Sequence, residues 1–318
     1  VDEMTKKKLL SLSAIQKYGM MLILVLIIII FSVLSPNFFT YSNFMSMLRQ
    51  ISVIGIIAAG QTLVIIKGGI DLSVGSIVAF AGVVSALTLA STGNTTLAII
   101  AGLLVGALVG CLNGVLISKL KLSPLIVTLA SMTLYGGVAL VLSDGNPIIV
   151  SESGFNFLGQ GYVGPIPFPV FLLIAVYLVL FFILRKTIHG QYIYSIGGNE
   201  KATKLSGVKV DIHKIIVYTT SGLLAGLAAV ILTARLSSAS PVAGTGYELD
   251  AIAAVILGGT SLFGGRGSVF GTLIGVAILG FLTSGMNLIN VSPFYQDIAK
   301  GLIILFAVII DRFINRDK

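Results

Sequence analysis

The sequence is short of charge, of cysteine and of histidine. Only 10% of its residues are Asp, Glu, Lys or Arg, against about a quarter in soluble globular domains, which excludes water as the main solvent for the chain. A single cysteine, Cys111, rules out an intrachain disulfide and, set in an apolar stretch, reads as a small buried hydrophobe. The two histidines, His189 and His213, share one polar segment, and neither sits in an HExxH frame, which argues against a zinc site. There is no GxSxG elbow, and no pair of carboxylates is spaced as an acid and a base. Covalent catalysis is therefore not expected of this chain.

Apolar residues are what the sequence has in excess, at 56% of the chain with a mean hydropathy of +1.05. They fall into ten runs: 18–34, 51–66, 74–89, 97–117, 125–142, 168–184, 215–234, 249–263, 269–288 and 294–310. Most match the roughly 20 residues a helix needs to cross a bilayer core. Each must be helical, because in lipid a lone segment satisfies its own N–H and C=O groups only within a helix. No run alternates polar and apolar residues as a membrane barrel requires. The fold expected is an all-α polytopic membrane protein of about ten transmembrane helices, residues 1–318 forming one domain. The first run follows Lys6, Lys7, Lys8 and Lys17 but ends at Ser35-Pro36 without a small-residue cleavage pattern, so it reads as a retained anchor.

Charge placement orients these runs. With residues 1–17 as an inner tail, only Arg49 and Arg235 of the 20 basic residues fall outside and Lys300 lies in the last run, so the net charge of +8 reflects the positive-inside rule and needs no nucleic-acid partner. Both termini are then cytoplasmic. Runs 51–66 and 249–263 are short enough to be broken or re-entrant, but withdrawing the second would carry Arg266, Arg312, Arg316 and Lys318 outside, so charge favours ten crossings. Runs two to five and seven to ten form two four-helix sets five crossings apart, which turns one set upside down relative to the other, an inverted repeat of the kind common in transporters.

Two polar segments separate the runs most widely. The outer one, 143–167, is rich in Gly, Pro, Asn and Ser and suits either a surface facing a partner or a solvated connection. In the inner one, 185–214, Gly197 and Gly198 make a break, Asn199 is placed to cap, and Glu200 to Ser206 read as a short helix stopped by Gly207. That helix suits insertion into another protein or simple solvation. The glycine-rich run GGTSLFGGRG at 258–267 lacks the Gly-Lys-Ser/Thr of a phosphate loop and reads as a tight turn with close packing. Lys67 with Asp71, Glu248 with Asp250, and Asp297 with Lys300 lie near run ends and read as local ion pairs or snorkelling side chains. An ion-coupled carrier lacks its expected deep charges, and an external energy source becomes attractive.

The run YIYSIGGNEKATKLSGV at 192–208 resembles the cytoplasmic coupling segment of the ribose-permease family of bacterial ABC importers, within the branched-chain amino acid/ribose permease superfamily. GQTLVIIKGGIDLSVGS at 60–76, ARLSSASPVAGTGYELDAIAAVILGGTSLFGGRGSVFGTLIGV at 234–276 and SPNFFT at 35–40 are similar to the same family, so the likeness covers nearly the whole chain; departures gather in the outer loop and at 91–96. The resemblance implies a permease of the bacterial inner membrane that works as a pair, receives a monosaccharide, ribose first among candidates, from a periplasmic or extracellular binding protein, and is driven by a separate cytoplasmic ABC ATPase that uses ATP and Mg. This chain would carry no cofactor. It further implies that Gly197, Gly198, Asn199, Glu200, Ala202, Leu205 and Gly207 form the ATPase-coupling helix and its stops. Polar residues within runs, Gln61, Asn113, Thr128, Ser131 and Asn287, are candidates to line the path, and equally candidates to bond across helices. A stand-alone ion-coupled sugar carrier and a receptor or scaffold that moves no solute are the competing classes.

Overall fold

The computed structural model describes residues 3–314, with side chains described from Gly19 to Ile309 apart from Ala307. Arg316 and Lys318 lie outside the described residues, as do the side chains of Lys6, Lys7, Lys8, Lys17 and Arg312. The chain runs α1 (Glu3–Leu34), α2 (Tyr41–Ile66), α3 (Val74–Thr92), α4 (Thr95–Lys119), α5 (Pro124–Leu142), β1 (Ile148–Ile149), α6 (Ser153–Gln160), β2 (Tyr162–Val163), β3 (Ile166–Pro167), α7 (Phe168–Lys186), α8 (Ile188–Gly198), α9 (Glu200–Leu205), α10 (Val210–Leu236), β4 (Ser238–Ala239), α11 (Tyr247–Leu257), α12 (Val269–Leu288) and α13 (Pro293–Ile314).

Among the described residues seven helices, α2, α3, α4, α5, α7, α10 and α12, are long and apolar enough to cross a membrane, and Gly19–Leu34 is a shorter apolar stretch. Helices stand at all ten positions that hydropathy marked, with two instructive differences. The doubt over α2 disappears, because Thr40 caps it by accepting from the Asn43 N–H and starts the helix ten residues before the apolar run, giving 26 residues. By contrast, α11 has 11 residues, about 16 Å of helix against a core of about 30 Å. Gly258 caps it and Gly259, at φ 78°, turns the chain away, so the remaining apolar residues to Phe263 are not helical.

Helix α2 is buried along most of its length and forms the axis around which α7, α10, α11 and α12 pack. The tightest junction joins α4 to α10. Gly102, Gly106, Gly110 and Gly114 recur every four residues on α4, and a Cβ at Gly106 or Gly110 would collide with the carbonyl of Gly222 or Tyr218 on α10. Backbones approach this closely only where side chains are absent, the familiar use of small residues in lipid, where no hydrophobic force drives helices together. At one edge α1 lies on α12, with Phe31 and the fully buried Phe38 against Phe281.

One end of the bundle is closed by the segment 143–167. Helix α6 crosses the end of α10, β1 pairs antiparallel with β4 (Ile148 opposite Ala239), and β2 with β3 forms a hairpin. Arg49 and Arg235 both belong to this end: the Arg49 guanidinium donates to the Gln160 carbonyl at 2.8 Å, and the Gln160 amide donates to the carbonyls of Ala234 and Arg235. Lys67, Lys119, Lys121, Lys204, Lys209 and Lys214 gather at the opposite end, around two neighbouring surface cavities. The segregation of charge anticipated from sequence is therefore present among the described residues as a difference between two ends.

Two segments interrupt the helical order. Residues 67–73 separate α2 from α3, and 237–246 separate α10 from α11. They meet where Gly244 packs on Gly75, in the first turn of α3.

Candidate functional site

At the lysine-bearing end, α8 and α9 build a small projecting element. Thr187 caps α8 by accepting from the Gly190 N–H, and Tyr194 donates its hydroxyl to the Gly267 carbonyl at 2.9 Å, tying α8 to the loop after α11. The glycine pair does not break the helix as the sequence suggested: Gly197 and Gly198 are its last two residues, and the break falls at Asn199, at φ −159°. Close packing explains Gly197 instead, because a Cβ there would strike the Ile66 carbonyl oxygen at the end of α2, where the Gly265 N–H donates at 2.8 Å, whereas a Cβ on Gly198 would meet open space. Gly264 and Gly265, at φ 80° and 72°, bring that loop onto the same spot, so the run 258–267 is the tight, closely packed turn its composition indicated.

Beyond the break, Asn199 accepts from the Ala202 N–H at 2.9 Å, and Gly207, at φ 85°, closes α9 by donating to the Lys204 carbonyl. Glu200 pairs with Lys214 at 2.6 Å, fixing α9 to the first turns of α10. Ala202 and Leu205 face outward, and Leu205 is 89% exposed. A leucine held so far into solvent on a capped, anchored helix forgoes the roughly 2 kcal/mol that its burial would contribute.

A second group of residues lies inside the bundle around 67–73. Asp71 is fully buried, and its carboxylate accepts from the Ser73 N–H at 3.0 Å, the Ser73 hydroxyl at 2.6 Å and the Ser221 hydroxyl of α10 at 3.2 Å. Asn113 of α4 donates to the Ser73 oxygen at 2.9 Å, and Ser131 of α5 donates to Asn113. With its amide oriented to satisfy both groups, Gln61 of α2 pairs with the N–H and carbonyl of Asp71 at 3.2 and 3.3 Å. Thr128 donates to the Pro124 carbonyl at 2.9 Å and lies 3.4 Å from that of Ile70. Four of the five polar residues singled out from the sequence thus converge on one break. Asn287 stands apart, exposed at the end of α12 and accepting from Gln296 at 2.7 Å.

The ion pairs expected between near neighbours are replaced by others. Lys67 forms no salt bridge with Asp71; its ammonium lies 4.2 Å from the centre of the Tyr218 ring, and burial first, then the Lys214 charge, pulls its pKa down to about 7. The i, i+4 geometry fails because the helix ends at Ile66. Lys300 pairs with Asp250 across α11 and α13 at 3.0 Å, not with Asp297. His189 and His213 meet Nδ1 to Nδ1 at 2.6 Å. Ser73, Ser221 and Tyr218 carry no sequence pattern that marks them; only the fold brings them to the break.

The second break shapes an open space. A cavity of about 180 Å³ is bounded by Ser76 and Ala79 of α3, Met132 and Gly136 of α5, and Pro241, Thr245 and Glu248. Glu248 accepts from the Gly246 N–H at 3.2 Å, which turns its carboxylate toward Gly75. A carboxylate and two hydroxyls on an otherwise small and apolar wall suit a neutral polyhydroxylated solute, for which strong charge pairing is unnecessary.

Residues 43–308 match the family described as branched-chain amino acid transport system / permease component. The chain is 51% identical, over 93% of its length and 93% of the relative's, to the ribose import permease protein RbsC of Bacillus subtilis. It is 49% identical to the ribose import permease protein RbsC of Escherichia coli over 91% of each chain, and 40% identical to the L-arabinose transport system permease protein AraH of the same species over 95% of this chain and 92% of that one. No solved structure gives a significant match.

Proposed function

The chain belongs to the family of branched-chain amino acid transport system / permease components, and from that membership we propose that it is the multi-pass membrane subunit through which a monosaccharide, ribose, enters a bacterial cell at the expense of ATP hydrolysed by a separate subunit. The observation that carries the choice of sugar is the 51% identity to a ribose import permease, against 40% to an arabinose one, at nearly equal coverage. It is a transport component, not an enzyme.

In this reading the lysine-bearing end faces the cytoplasm, with residues 1–17 and the C-terminus on that side, and 143–167 faces the sugar-binding protein outside. The positive-inside rule supports that orientation. Helix α9, in the segment 185–214, is the contact for the ATPase: Ala202 and Leu205 enter a groove of that subunit, Asn199 and Gly207 hold the ends, Glu200 anchors it to α10, and Gly197 with Gly198 transmits its displacement to the end of α2. ATP and Mg act in the partner, and ATP shifts this chain only through contacts that differ between two states of the ATPase. A second copy completes the path.

Two inverted four-helix sets, α2 to α5 and α10 to α13, also belong to the proposal. Their support is the reciprocity of packing: α2 touches α11 as α10 touches α3, and a non-helical break follows both α2 and α10. Transporter sites form at such breaks near the repeat interface. The cavity at Ser76, Thr245 and Glu248 then belongs to the sugar path, and Gln61, Asn113, Thr128 and Ser131 back it, with Asn287 at the outer mouth.

The test is labelled-ribose uptake into proteoliposomes holding this chain, its ATPase and its binding protein. Uptake is expected to require ATP and to be lost in Leu205→Asp and Glu200→Lys with the protein still inserted. Uptake that survives ATP depletion and collapses with a protonophore would replace this reading by an ion-coupled carrier; binding-protein capture with no flux would replace it by a receptor.

A further inference from the structure

Between the 67–73 break, the α4–α5 turn, α9 and the start of α10 lies a surface cavity of about 350 Å³ at the lysine-bearing end. Among the described residues, Lys67, Lys121, Lys204 and Lys214 line it against Glu200 and Asp211, so cationic side chains outnumber carboxylates there. A solvated basic face does not describe this arrangement. Lys67 is 5% exposed, the Lys214 side chain is 15% exposed, and the two ammonium groups lie close enough to repel each other. Lys67 makes no ion pair among the described residues, and the carboxylate that Lys214 holds, that of Glu200, is itself half in solvent.

Ser118 belongs to the wall of the same cavity, but its hydroxyl is sealed from solvent and offers no donor to it. Four lysines gathered round one concavity, with Lys121 and Lys204 exposed, are the donors a tetrahedral oxyanion needs, since phosphate oxygens accept several charge-assisted bonds at once. The volume exceeds that of the anion alone and leaves room for what carries it. Leu122 lines the cavity as well, and Leu120 and Leu125 beside it are exposed, so the mouth is apolar on one side.

We propose that this cavity binds a phosphate group, carried either by a phosphorylated small molecule of the cytoplasm or by the headgroup of an anionic phospholipid, and that the bound group restrains α9. Basic pockets between membrane helices recognise headgroups through the same chemistry. Binding stands on the cavity alone; the effect on α9, through Lys204, Lys214 and Glu200, rests on the proposed coupling role of that helix. Occupancy draws Lys214 from Glu200 and so loosens one of the contacts that fix α9 to α10.

The experiment uses the full chain in nanodiscs and reads Tm. In pure phosphatidylcholine discs, inorganic phosphate and ribose 5-phosphate are titrated with ribose and sodium chloride as controls; in parallel, discs containing phosphatidylglycerol are compared without added phosphate. A rise in Tm with either soluble phosphate, or only with the anionic lipid, supports the site and identifies the source. In both cases Lys121→Gln and Lys204→Gln, at exposed positions that leave the fold intact, should each weaken the effect about tenfold in apparent Kd, the loss of one charge-assisted bond. No rise in any arm, or a rise that both variants retain, overturns the proposal. Phosphate binding that persists in a chain shown not to import sugar would overturn the coupling clause and the functional reading, and leave the site standing.

Discussion

The two breaks differ in what they do with a carboxylate. Between α2 and α3, Asp71 is sealed: it is fully buried, with three donors on its carboxylate and the Gln61 amide on its backbone. Between α10 and α11, Glu248 is held by one backbone N–H and looks into a cavity of about 180 Å³. Similar interruptions of a helical bundle therefore serve different ends. A carboxylate held both by Ser73 of the break and by Ser221 of α10 stabilises an architecture, whereas one held by its own turn keeps its remaining lone pairs for something that comes and goes.

The strongest way to break that contrast is Asp71→Ala, which leaves the Ser73 and Ser221 donors buried and unpaired. A loss of about 3 kcal/mol is expected, seen as a large drop in the Tm of the full chain in detergent, with Asp71→Asn intermediate. A Tm within error of the parent would show that the break is held by helix packing alone. Next in size is Gly75→Val. The two breaks touch at this residue, and a side chain there collides with the Gly244 carbonyl and the Glu248 carboxylate, which should cost about 2 kcal/mol by overpacking and abolish uptake; an unchanged flux would remove the cavity from the path.

Lys67 sharpens the comparison from the sealed side through pH. Its pKa, near 7 in the fold against 10.5 in the unfolded chain, means the unfolded state binds more protons between those values, so stability rises with pH from about 7 to about 10 and its burial penalty is fully present below 7. Tm measured across that range should climb in the parent and climb less in Lys67→Met; parallel profiles would deny the lysine its buried, partly neutral state. The smallest expected stability effect is at the open break. Glu248→Gln keeps shape and the acceptor for Gly246 and should change Tm little, within about 1 kcal/mol, yet lower ribose uptake several-fold through KM; a loss of stability with unchanged KM would make Glu248 as structural as Asp71.

Much of the projecting element α8–α9 was legible in the residues, because its signals are local. A capping Asn199 three residues before Ala202, and a glycine at 207, act on their own neighbours. The glycine pair was misread as a break because the collision that requires Gly197 comes from Ile66, remote in sequence. The α4 glycines at four-residue spacing were visible as letters, yet their partners on α10 were not. Polar residues inside the runs were picked out by type alone; that four of them share one break while Asn287 lies elsewhere depends on which helices become neighbours.

The sequence by itself determined that this chain lives in lipid, where its apolar runs stand, which end collects the lysines and where a short capped helix projects, since hydropathy, charge and capping act within a segment or between a segment and its solvent. Tertiary structure alone decided that α11 stops after 11 residues, that Lys300 pairs with Asp250, that Asp71 is sealed and that Glu248 is open. Those outcomes rest on contacts between residues far apart along the chain, and in a solvent as apolar as the helices themselves it is close packing and hydrogen bonding, not hydropathy, that selects them.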